Sequence, residues 1–110
     1  MAYSEELADR VRERIFERSG VVEKEMFGGV AWMIDGNMAV CIIGGDGLMV
    51  RLPKEEVEAA LAEPGVEPME MSGKRMKSFV VVQPDSTESD EDLLGWIDAG
   101  ASFAESLPSK

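Results

Sequence analysis

Residues 26–42, MFGGVAWMIDGNMAVCI, decide how the chain folds. Apolar residues crowd this stretch, yet turn-forming residues break it twice, at Gly28-Gly29 and at Asp35-Gly36-Asn37. The apolar pieces left between the breaks are too short for helices and suit strands. Asp35-Gly36-Asn37 has hairpin chemistry, because Gly and Asn tolerate positive φ. It also begins like a calcium loop, but that pattern needs an oxygen ligand where Ala39 stands and a glycine where Val40 stands. The glycine pair after Phe27 has three readings: a phosphate loop, a strand bulge or a hinge. A phosphate loop must lead into a helix whose amino end meets the anion. These glycines lead into a strand, so a bulge, a bend or a close backbone approach is expected there.

Working outward, residues 22–27, 30–34, 38–43 and 48–52 read as four strands joined by short turns, an antiparallel meander. The turn at 44–47, Gly-Gly-Asp-Gly, joins the last two. Upstream, residues 4–18 read as a helix capped by Ser4, with Glu5 and Glu6 in the first turn. Leu7, Ala8, Val11 and Ile15 form its apolar stripe, widened by Phe16. Arg10, Arg14 and Arg18 make a basic stripe beside Asp9, Glu13 and Glu17, a self-compensated solvent face.

Downstream, Pro53 suits the first position of a short helix over 54–62, with Val57, Ala60 and Leu61 on one face. Residues 68–71 and 76–82 bracket Ser72-Gly73-Lys74-Arg75 as a second hairpin. The last helix starts near Ser89, which has capping-box spacing to Asp92. Its broad apolar face holds Leu93, Trp96, Ile97, Gly100, Phe103, Ala104 and Leu107, and Gly100 permits close approach. Pro108 stops it. Strands outnumber helices and do not alternate with them. The expectation is therefore one α+β domain over residues 1–110, in two layers: an antiparallel sheet of about five to six strands with helices packed on it.

Composition narrows the chemistry. The chain has 110 residues, no His, one Cys, 22 acids against 11 bases, and a net charge of -11. The absence of His removes the commonest general base and metal ligand. Cys41 sits in an apolar run and reads as a small buried hydrophobe. No catalytic residue, cofactor-binding residue or metal ligand is assigned, and no cofactor is expected. The charge disfavours direct nucleic-acid binding and an anionic membrane. The amino terminus is not a signal peptide and no run approaches the length of a membrane span, so a soluble cytoplasmic protein is expected. Lys74, Arg75 and Lys77 form the one uncompensated basic cluster. Met is frequent, at eight of 110 residues, and suits both core filling and adaptable contact surfaces.

Several of these segments, taken together and in order, resemble the amino-terminal domain of the TfoX/Sxy family: EKEMFGGVAWMIDGNM, GDGLMVRL, Pro68-Met69, GKRMKSFVVV and a helix ending FAESLP. The resemblance runs from about residue 3 to 108. It implies a small α+β domain with a secretion-chaperone-like arrangement of sheet and helices. It also implies a role like that of regulators of natural competence, which act with a transcription activator. Full-length regulators carry a second, carboxy-terminal domain, which is not expected here. The family brings no catalytic residues. The expected function is a non-enzymatic regulatory or protein-interaction domain, working as a homodimer and with a protein partner such as a transcription regulator. Met26, Phe27, Gly28, Gly29, Lys74, Met76 and Lys77 are the expected contact residues. Two alternatives stand beside it: nucleic-acid binding through the hairpin at 73–77, and small-ligand binding.

Overall fold

The computed structural model describes residues 3–26, 28–43 and 47–108, the side chain of Met71 excepted. Among the described residues the chain forms, in order, α1 (Glu5–Ile15), β1 (Val21–Met26), β2 (Gly29–Ile34), β3 (Asn37–Ile42), β4 (Leu48–Arg51), α2 (Lys54–Leu61), β5 (Val66–Met71), β6 (Lys74–Val82), a 3₁₀ turn (Pro84–Ser86) and α3 (Asp90–Ser106). The strands make a six-stranded sheet in the order β1-β2-β3-β4-β6-β5, antiparallel throughout. The fold is α+β, as expected: one open antiparallel sheet with helices packed on it. After β4 the chain makes α2, lays β5 along the far edge, and returns as β6 between β4 and β5.

The turns follow from their residues. Asp35 and Gly36 both have positive φ, 51° and 87°, and join the paired residues Ile34 and Asn37. That is a two-residue turn whose twist matches the flanking strands. Ser72 and Gly73 do the same at 54° and 78° between Met71 and Lys74. Residues 44–46 of the expected turn at 44–47, and the contact candidate Phe27, lie outside the described residues.

The capping predictions hold. Ser4 Oγ accepts from the Leu7 amide at 3.2 Å, and Ser89 Oγ accepts from the Asp92 amide at 3.1 Å. Several boundaries differ. α1 stops at Ile15, and Phe16, read as part of its apolar stripe, is instead 49% exposed in the turn that follows. Pro53 caps α2 from outside rather than opening it. β5 starts at Val66, two residues earlier than expected.

The main core lies between the sheet and the helices. Val30, Trp32, Ile34, Val40, Ile42, Leu48, Val50, Val80 and Val82 point from the strands toward Leu7, Val11, Ile15, Val57, Ala60, Leu93, Ile97, Ala101 and Ala104. All three helices therefore contribute to one side of the sheet. α3 crosses β3 and β4 closely enough that a Cβ on Gly100 would sit 2.5 Å from the Ala39 carbonyl oxygen. Only glycine allows this approach, as the sequence suggested. The segment just after α3 is held by buried Asn37, whose Nδ2 donates to the Pro108 carbonyl at 2.9 Å.

Candidate functional site

Alternate residues of a strand point to opposite faces of a sheet. The residues between those of the main core therefore build a second face, and they too are apolar. Ala31, Cys41 and Met49 are buried at its centre. Met26, Met33, Met38, Ile43, Met69 and Phe79 surround them, half-buried. Among the described residues no helical side chain belongs to this cluster. Val22, paired with Met33 and so on the same face, is 52% exposed at the edge strand. The Arg51 guanidinium carbon lies 5.6 Å from the Phe79 ring centre and 5.9 Å from that of Phe103, both within cation–π range.

Methionine matters here for its physics. It is unbranched and polarizable, so it fits irregular apolar partners at little steric cost. Burial pushes the Cys41 thiol up to about 11, so it stays protonated near neutral pH and behaves as a small hydrophobe.

The expected contact residues separate. Met26 belongs to the open face. Gly28 and Gly29 have structural roles: Gly28 takes a positive φ of 74° in the turn, and Gly29 is buried against the backbone of Ile42. Lys74, Met76 and Lys77 lie on β6 near the Ser72-Gly73 turn, and Met76 is not among the side chains packed on that cluster. Lys74 and Lys77 are exposed and Met76 is half-buried. Here β5 advances from Pro68 to Glu70 while β6 runs from Val80 to Arg75, so the pairing register shifts.

The hairpin cluster is also less free than its sequence suggested. Arg75 pairs with Glu58 of α2 at 3.1 Å. Lys77 and Arg75, with Lys54, Val57 and Glu58, line a concavity of about 360 Å³. The signal missed for the open face was the alternation through β2 and β3. It left Met33 and Met38 opposite the strand residues that meet the helices.

The basic stripe of α1 reads differently in three dimensions. Arg14 makes a two-pronged contact with Asp98 of α3, at 2.7 and 3.1 Å. Arg18 reaches Asp98 and Glu105, and Arg10 reaches Asp90. Part of the pairing is local, Arg12 with Asp9 inside α1 and Arg14 with Glu17 in the turn that follows it. The stripe is thus a clasp between helices rather than a solvent face. The cleft beside it holds about 190 Å³ and is lined by Arg10, Glu13, Arg14, Glu17 and Asp90 together with Leu93 and Leu94. Among the described residues no group of three or more acidic or thiol side chains is placed to hold a metal ion.

The family model for the TfoX N-terminal domain matches residues 14–104. The chain belongs to the TfoX N-terminal domain family. The match covers the meander, both hairpins and most of α3, so every residue of the open face lies within it. No curated protein and no solved structure matches the chain. No helix among the described residues is long and apolar enough to cross a membrane.

Proposed function

We propose that this TfoX-family domain is a non-enzymatic regulatory module that works by protein–protein contact through its open sheet face, with a second copy of itself as first partner. The observation that carries the reading is the second apolar layer, Met26 to Phe79, on the face that the helices leave uncovered. Contiguous apolar surface of this kind marks interaction sites on proteins. The competence-regulator character of the family adds a further protein, such as a transcription regulator, and a cytoplasmic place of action to the same reading. The nucleic-acid alternative is less well supported, because Arg75 is already paired and the net charge is -11.

The test places a carboxylate in the layer. Met33 is half-buried, so Met33→Glu leaves the helix-side core intact. Light scattering after size exclusion is expected to give a dimer for the wild type and a monomer for Met33→Glu, with unchanged circular dichroism. A variant that dimerises as the wild type does would refute the assignment of this face.

A further inference from the structure

One row of residues crosses the whole sheet in register. Lys24 pairs with Ala31, Ala31 with Cys41, Cys41 with Met49, Met49 with Val81, and Val81 with Glu67. Directly paired residues share a face. Ala31, Cys41 and Met49 put this row on the open face. Lys24 ends it on edge strand β1, and Glu67 ends it on edge strand β5, about 24 Å away at the usual strand spacing. Four uncharged residues lie between. Lys24 has no acidic partner among the described residues, and Glu67 is held by the Gln83 side-chain amide at 3.1 Å.

We infer that the open face packs against the same face of a second copy about a two-fold axis running along the strands, so that Lys24 of each copy meets Glu67 of the other. This inference rests on the reading above and specifies its geometry. An axis along the strands lays β1 of one sheet over β5 of the other and keeps positions along the strand level. The single row then pairs with itself, opposite charge on opposite charge at both ends. An in-plane axis across the strands would instead lay β1 over β1 and β5 over β5, bringing like charges together. Like-charge contact disfavours that arrangement. Twisted sheets pack face to face with their strands about 30° apart, which tilts this alignment without reversing it. Six-residue strands across this width offer about 500 Å² per copy, near the ~1,000 Å² in total that a specific interface needs.

Charge exchange tests the geometry, read by sedimentation velocity over a dilution series at low salt. Lys24→Glu alone and Glu67→Lys alone are each expected to weaken the dimer about tenfold, because two exposed attractions become two repulsions. An equimolar mixture of the two variants is expected to recover wild-type affinity as a heterodimer, and the doubly exchanged protein is expected to dimerise as the wild type does. Single variants without effect, or a mixture no tighter than its components, would overturn the two-fold along the strands. If Met33→Glu still dissociates the wild-type dimer in that case, the face stands and only this alignment fails. If Met33→Glu has no effect, or the wild type is monomeric throughout, both readings fall.

Discussion

A Cβ placed on Gly29 would collide with the carbonyl oxygen of Ile42 on the neighbouring strand, whereas one placed on Gly28 would meet nothing within 4 Å. The two glycines therefore answer to different constraints. Backbone cannot give way as the end of a flexible side chain can, so Gly29→Ala forces β2 and β3 apart. The expected loss is about 3 kcal/mol or more. Gly28→Ala meets only the strain of its positive φ and is expected to lose about 1 kcal/mol. Urea unfolding of both variants checks this, and equal losses would contradict it. The sequence offered a bulge, a bend or a close approach for the pair. It could not divide these between the two residues, because the division depends on where Ile42 lies after a hairpin.

Three elements meet at Glu23. Its carboxylate on β1 takes the Arg12 guanidinium of α1, at 2.8 and 3.0 Å, and the indole N–H of buried Trp32 on β2, at 2.8 Å. The Arg12 contact, first, and the Trp32 bond hold the Glu23 carboxyl below the ordinary glutamate value near 4.5, against the opposing effect of burial. A carboxylate with a depressed folded-state pKa contributes stability that is complete above its ordinary value. That stability is lost as pH falls through the folded value. Glu23→Gln can still accept from Trp32 but loses the ion pair. The stability gap between wild type and Glu23→Gln is expected to be constant above pH ~5 and to close as acid protonates Glu23. A gap that stays constant or widens below pH 4 in denaturant titrations would contradict this. Elements were legible in the sequence where local chemistry sets them: the places of both hairpin turns, the Ser4 and Ser89 caps, and the tight seat of Gly100; Asp35 rather than Asn37 takes the positive φ beside Gly36. The α1–α3 clasp was not legible, because Arg14 and Asp98 lie far apart in the chain and only packing brings them together.

On the scale of the molecule, the sheet has one face filled by helices and one filled by methionines. The composition marked methionine as suited to both core and contact surface, and the alternation that separates two faces was not read from the strands. Neither could say which face the helices take, because β2 and β3 are apolar on both sides. The row from Lys24 to Glu67 was hidden for a related reason. It depends on β6 lying between β4 and β5, an order the chain reaches only by doubling back after α2. Of the expected contact residues, Met26 lies on this face, Gly28 and Gly29 shape the strands beneath it, and Lys74, Met76 and Lys77 lie near the turn of the β5–β6 hairpin. The measurement that bears most directly on the open face is methionine-methyl NMR over a concentration series. Self-association through this face predicts that the methyl signals of Met26, Met33, Met38, Met49 and Met69 shift together as concentration rises, while Met76 on the hairpin stays fixed. Signals that do not change with concentration, or a shift confined to Met76, would contradict it.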